Sequence, residues 1–144
     1  MLRTLFAALL LVPLAFAQVS AGEKHKLALQ ISDNDPDKMN AVLNVAANVS
    51  KYYLDKGEEV EIQIVAFNAG LHMLREDTSH VKPRIASFAK SMPNVSFKAC
   101  QNTIDSMAKR EGKAIPIVEV AEHVTAGVVT LIELSEKGWT IVRP

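Results

Sequence analysis

The stretch KLALQISDNDPDKMNAVLNVAANVSKYYLDKGEEVEIQIVAF, residues 26–67, reads as strand, helix and strand in succession. Lys26 to Ile31 is a short apolar run that ends in the polar cluster Ser32-Asp33-Asn34-Asp35. Asp35 followed by Pro36 is an N-cap with proline at the first helical position, where the missing N–H costs nothing. Val42, Val45, Ala46, Val49, Tyr52 and Tyr53 then recur at helical spacing, and Gly57 closes the helix. In the next run Val60, Ile62, Ile64 and Ala66 alternate, as the core face of a strand does. Its end, Val65-Ala66-Phe67, is apolar on both faces, the mark of a strand covered on both sides. Asn40, Asn44 and Asn48 form a polar stripe at steps of four along the helix. That stripe reads either as a solvated face or as a hydrogen-bonded contact between subunits.

The same alternation continues to the end of the chain. After the loop Asn68 to Arg75 a helix is expected, capped by Thr78 or Ser79, with Val81, Ile85, Phe88, Ala89 and Met92 on one stripe. Pro93-Asn94 breaks it. Val95 to Cys100 follows as a strand, and a helix runs on to Gly112. Ile115 to Val120 is expected to be a fourth strand, Val128 to Lys137 a last helix ending at Gly138, and Trp139 to Val142 a closing strand. Strands alternating with helices make a mostly parallel sheet, because right-handed crossovers lay the helices on its faces. The expected architecture is therefore an α/β three-layer sandwich of about five strands, of the flavodoxin-like class. In such sheets ligands bind outside the carboxyl ends of the strands. Three loops leave that edge: Ser32 to Asp35, Asn68 to Arg75, and Cys100 to Thr103.

Residues 1–21 stand apart from this pattern. Met1-Leu2-Arg3 supplies a positive start, and Thr4 to Leu14 is mostly apolar but too short to span a bilayer. Ala15-Phe16-Ala17 or Val19-Ser20-Ala21 supplies a small-x-small cleavage site. This is the pattern of a signal peptide cut after Ala17 or Ala21, and it implies export, to the periplasm if the source is bacterial. Residues 22–144 then form one domain, long enough to bury a core, with no further segment of membrane-spanning length. The chain has 16 basic and 16 acidic residues, so losing Arg3 with the leader leaves a net charge near −1. That balance argues against nucleic acid or an anionic membrane as partner. Asn48 and Asn94 head Asn-x-Ser sequons, which are common by chance.

Cys100 is the single cysteine of the chain. An internal disulfide is impossible, which leaves a packed thiol, half of an intermolecular bond, or a nucleophile. Its junction between a strand and a helix faces that helix's unpaired N–H groups and positive dipole end, surroundings that favour a thiolate. Lys98 lies on the same side of the strand, whereas Lys109 and Arg110 sit too far along the helix to count as helpers. Of the four histidines, His72 leaves the same sheet edge as Cys100 and is the candidate base; His25, His80 and His123 make no metal-ligand spacing with it. Asp33 belongs to an acidic loop that lacks the glycine and distal glutamate of a calcium site. Asn68, Arg75, Gln101, Asn102 and Thr103 border the same edge as candidate pocket or helper groups. Main-chain donors of Gln101 and Asn102 are available to the thiol, and Arg75 is a candidate partner for Glu133, either across the edge or across subunits. No phosphate-binding glycine motif occurs, and neither a metal nor another cofactor is expected.

Taken together, Ile31-Ser32-Asp33-Asn34-Asp35-Pro36, Gly70-Leu71-His72-Met73-Leu74-Arg75, Cys100-Gln101-Asn102-Thr103, Ala126-Gly127-Val128-Val129 and Gly138-Trp139 resemble the DsrE/DsrF-like family. The likeness runs over essentially the whole of residues 22–144 and is closest to the exported, stand-alone branch. It implies the three-layer α/β fold and a homo-oligomer, commonly a trimer or hexamer. In cytoplasmic relatives that move sulfur, a cysteine after the third strand carries a persulfide between partner proteins. Cys100 matches that position, and Lys109-Arg110-Glu111-Gly112 lies where relatives often have a basic residue and a glycine. The resemblance therefore implies a sulfur carrier or sulfurtransferase-like protein that exchanges sulfane sulfur with a thiol partner. Two other readings remain open from the residues: an oligomeric small-molecule-binding protein in which Cys100 merely lines the pocket, and an oxidant-sensing thiol.

Overall fold

A computed structural model describes residue 22 and residues 24–144; the leader expected over residues 1–21 lies outside the described residues. The elements follow in the order β1 (His25–Ile31), α1 (Pro36–Asp55), β2 (Val60–Ala66), a 3-10 helix (Asn68–Leu74), α2 (Lys82–Ser91), β3 (Val95–Cys100), α3 (Gln101–Glu111), β4 (Ala121–Val124), α4 (Gly127–Glu136) and β5 (Thr140–Val142). The start of α1 forms as its residues dictate: Asp35 is extended and its carboxylate accepts the N–H groups of Asp37 and Lys38, while Pro36 opens the helix. Among the described residues no helix is long and apolar enough to cross a membrane.

The five strands form one parallel sheet in the order β4-β3-β2-β1-β5. From β1 to β4 each crossover steps to the next strand in the same direction. Right-handed connections therefore put α1, α2 and α3 on a single face. The return from β4 to β5 runs backwards past three strands, so α4 lies on the opposite face. The buried side chains divide in the same way. Leu29, Ile31, Ile62, Ile64 and Phe97 of the sheet pack with Met39, Val42 and Leu43 of α1, Ile85 and Phe88 of α2, and Ile104 and Met107 of α3. Ala28, Val65 and Cys100 pack on the other face with Leu131 and Leu134 of α4 and with Trp139. Val65, Ala66 and Phe67 are all buried, which agrees with the two-sided cover expected of them. The expected three-layer α/β sandwich of the flavodoxin-like class is the fold observed.

Several expectations are corrected. The fourth strand is Ala121–Val124, not Ile115 to Val120. Pro116 has no N–H to give a ladder, and its segment instead lies across the chain that follows the 3-10 helix. There the Pro116 carbonyl accepts the Glu76 N–H, Val118 N–H donates to the Leu74 carbonyl, and Ile117 forms one antiparallel bridge with Arg75. Ile115 and Val118 are buried by this packing, so their apolar character serves loop cover, not strand pairing. Helix α2 begins at Lys82, later than a Thr78 or Ser79 cap implies. The Ser79 hydroxyl donates to the Met73 carbonyl and accepts the Val81 N–H, and Pro83 sets the first turn. Ala89 is exposed and outside the expected stripe. Asn40 and Asn44 are not a bare solvated face: their side-chain carbonyls accept from Arg84 of α2 at 2.6 and 2.8 Å, joining two helices of the same chain.

Arg75 is not paired with Glu133, which is exposed on α4. Its side chain is 2% exposed and holds two carboxylates, Asp77 just after it and Glu111 in the last turn of α3. Nε and one terminal nitrogen donate to Asp77, and both terminal nitrogens donate to Glu111 at 2.6 and 3.0 Å. The guanidinium holds the Asp77 and Glu111 carboxyls below their ordinary range, chiefly through these hydrogen bonds. The carboxylates in turn raise the Arg75 value further above its already high norm. Because the acids titrate lower in the folded than in the unfolded chain, their contribution to stability is present above the ordinary carboxylate value of about 4 and is lost as the pH falls below it. Replacing Arg75 with Met is expected to lower Tm by roughly 10 °C at neutral pH, since it leaves two carboxylates facing each other with only the exposed Lys113, 3.4 and 3.8 Å away, as counterion. Thermal melts from pH 7 down to pH 3 are expected to show a much smaller acid-induced loss in Arg75→Met than in the wild type; parallel curves would mean that the clamp does not hold the fold.

Candidate functional site

In this sheet the connection leaving β3 goes to one face and the connection leaving β4 goes to the other. The crevice between the carboxyl ends of β3 and β4 is therefore the topological switch point, where an open parallel sheet offers its ligand site. Cys100 is the last residue of β3 and the N-cap of α3, with φ −70° and ψ 113°. Its side chain is 4% exposed, and the thiol sulfur accepts the N–H of Gly127, the first residue of α4, at 3.2 Å. The Asn102 N–H donates across the same crevice to the Thr125 carbonyl at 3.2 Å. Two helices that lie on opposite faces of the sheet thus begin at one thiol.

Two glycines let the chain pack this closely. A Cβ at Gly127 would lie 2.9 Å from Cβ of Phe67, and one at Gly70 would lie 2.3 Å from the Ile31 carbonyl oxygen. Gly70 brings the 3-10 helix against the end of β1. At the head of that helix Asn68 takes φ 49°, a left-handed conformation that asparagine tolerates better than most residues. Its N–H donates to the Thr103 hydroxyl oxygen at 3.0 Å, which ties the start of the 3-10 helix to the first turn of α3.

Above Cys100 lies a cleft of about 700 Å³. It is walled by Asn68 and His72 from the 3-10 helix, by Asn102 and Thr103 from α3, and by Asn34 from the loop after β1. Five of the expected site residues, Cys100, His72, Asn68, Asn102 and Thr103, are therefore brought together. The other three are not. Asp33 turns outward and binds Lys38 and Arg143 at 2.8 and 2.7 Å, which lowers its carboxyl pKa. Gln101 reaches away to His123 and Asp105, at 2.7 Å each. Arg75 is engaged by Asp77 and Glu111 and borders no part of the cleft.

Arg110, set aside in the sequence as too distant, does line the cleft. Thr103, Ser106, Met107 and Arg110 all border it, at positions i, i+3, i+4 and i+7 of one helix face. Helical spacing counted from Thr103 was the signal that places Arg110 on the Cys100 side. What the sequence did not reveal is that the cleft extends along two turns of α3.

His72 is partly buried, and its Nδ1 lies 2.7 Å from the Thr78 hydroxyl. Burial first, and then the positive charge of Arg75, lower its pKa from the ordinary value, so the ring is neutral at pH 7 and able to take a proton. The cleft thus holds a thiol, a neutral imidazole, three amide side chains and one guanidinium, with no carboxylate on its walls. Among the described residues no group of three His, Cys, Asp or Glu side chains is arranged to hold a metal ion. The remaining histidines lie elsewhere: His25 stacks on Tyr53 with ring centres 3.9 Å apart at the start of β1, and His80 is exposed in the turn before α2.

No protein family and no curated protein matches the chain significantly. Among solved structures it is similar to a protein of unknown function, MTH1491, from Methanobacterium thermoautotrophicum. The two share 23% sequence identity at a TM-score of 0.70, over 83% of this chain and 99% of that one. The likeness shows a shared α/β fold.

The close approach at Gly127 has a measurable consequence. Alanine normally favours a helix over glycine by about 1 kcal/mol. At position 127 its methyl group collides with Phe67, and overpacking of this kind costs roughly 1–3 kcal/mol. Gly127→Ala is therefore expected to destabilise the protein in urea unfolding; an increase in stability would mean that Phe67 moves aside freely.

Proposed function

We propose that this protein is a sulfur carrier of the DsrE/DsrF-like kind, exported by its leader, in which Cys100 holds a persulfide. The observation that carries the reading is the Gly127 N–H directed at Cys100 Sγ on the floor of the switch-point cleft. A hydrogen-bond donor aimed at the sulfur stabilises negative charge there, both when the thiolate attacks and when it leaves.

The cycle balances without an oxidant. His72, neutral at pH 7, borders the cleft and is suited to take the thiol proton. The Cys100 thiolate then attacks the outer sulfur of a sulfane donor, the donor's S–S bond breaks, and the donor thiolate departs with the electron pair. The persulfide left on Cys100 is released when an acceptor thiolate attacks its outer sulfur and Cys100 leaves as thiolate. Burial of Cys100 supports the carrier role, since a persulfide sheltered in a cleft meets fewer adventitious thiols and oxidants. Val128, Val129 and Ile132 are about half exposed along α4, and an apolar strip of this kind supports a homo-oligomer.

Incubation of the mature protein with inorganic polysulfide, followed by intact mass measurement, is expected to show a gain of about one sulfur atom that Cys100→Ser does not take up. An unmodified protein, with Cys100 slow to alkylate near neutral pH, would sink the reading. Light scattering is expected to report more than one copy per particle, and a strict monomer would remove the oligomer from it.

A further inference from the structure

The cleft is much larger than its chemistry requires if the donor were only an inorganic sulfur chain. About 700 Å³ falls within the range of small-molecule sites, roughly 300–1,000 Å³. Cys100, 4% exposed at its floor, is out of reach of a flat protein surface, so a donor must insert its sulfur into the cleft. The polar side chains around that path are neutral apart from one: His72, Thr103 and Ser106 border it beside the amides. Asn34, Asn68 and Asn102 offer amides, and Arg110 offers the one cationic side chain bordering the space. The carboxylates nearest to Arg110 in sequence are taken by others: Glu111 by Arg75 and Lys113, and Asp105 by Gln101. Among the described residues Arg110 has no ion-pair partner, and no acidic side chain lines the cleft to oppose an anion.

We propose that the sulfur donor of this site is a low-molecular-weight persulfide bearing free carboxylate, a thiol peptide or amino-acid persulfide, whose carboxylate is bound by Arg110 while its outer sulfur meets Cys100. The proposal rests on the sulfur-carrier reading and names the substrate class for it. Arginine suits this role because its planar fork matches a carboxylate and keeps its charge at every working pH. The amides supply partners for the peptide groups of such a donor and carry no charge that would repel it. In the transfer the Cys100 thiolate bonds to the outer sulfur of R–S–SH, the donor S–S bond breaks, and R–S⁻ leaves with the bonding pair. The proton stays on the transferred sulfur, giving Cys100–S–SH.

The probe is glutathione persulfide, compared with the persulfide of glutathione diethyl ester, in which both carboxylates are masked. Time-resolved intact mass follows loading of Cys100 in the wild type, Arg110→Ala and Arg110→Lys, with inorganic polysulfide as a third donor. The wild type is expected to load from the free acid about tenfold faster than from the ester, the worth of one charged hydrogen-bonded contact. That preference is expected to fall close to one in Arg110→Ala and to be partly kept in Arg110→Lys. Arg110 is exposed, so these variants keep the fold. Equal loading of the wild type from acid and ester, or a preference that survives Arg110→Ala, overturns the assignment. Loading from polysulfide alone overturns it too while leaving the carrier reading intact. Loading from no donor removes the carrier reading and this proposal with it.

Discussion

The guanidinium of Arg75 is the joint on which the rest of the site depends. It leaves the chain just after the 3-10 helix and closes on Glu111 at the far end of α3, with Asp77 completing the ring of acceptors. A buried arginine is costly unless its donors are used, and here the forked hydrogen bonds to two carboxylates use them. Met107 Sδ at 3.8 Å covers one side of the group. The backbone around Arg75 is held equally firmly: its N–H donates to the His72 carbonyl, and its strand-like bridge to Ile117 fixes the segment that precedes β4. Both long walls of the cleft, the 3-10 helix and α3, are thereby set at a fixed separation.

This joint also shapes the chemistry of the cleft without entering it. Its positive centre is one of the causes that keep His72 neutral, second to burial, while Glu111 and Asp77 work in the opposite direction. Because Arg75 engages Glu111, the one acidic group in the last turn of α3 is drawn away from Arg110. The free charge that reaches the cleft is positive. One network around a buried guanidinium therefore ties the two walls of the site together and leaves the charge of Arg110 at the cleft unopposed by Glu111.

The topology explains why Cys100 is the residue at the centre. Three crossovers in one direction and a single return place the divergence of the loops between β3 and β4, and the last residue of β3 must lie there. The return also brings the N-terminus of α4 to the thiol from the face opposite α3, and Gly127 is small enough to let its N–H reach Sγ beside Phe67. A lone thiol in a strand end becomes a thiol with a directed donor only because the sheet reverses its winding at that point.

Much of this was readable from local pattern. Asp35-Pro36, the two-sided apolar run Val65-Ala66-Phe67 and the alternation of strand and helix determined the α/β sandwich, and with it the sheet edge on which Cys100, His72, Asn68, Asn102 and Thr103 meet. Those signals are short-range: caps, periods of two and of 3.6, and the handedness of crossovers act within a few residues or one crossover unit. Ile115 to Val120 reads as a strand by its apolar residues, of which only Ile115 and Val118 are buried; Pro116, which has no N–H for a ladder, was the local signal against it. The sequence could not pair Arg75 with Glu111, 36 residues away, or bring Arg110 to the thiol's cleft, or bring Gly127 to Cys100 across 27 residues. Each of these depends on where separate elements come to rest against one another, and side-chain partners at that range are chosen by packing, not by spacing along the chain.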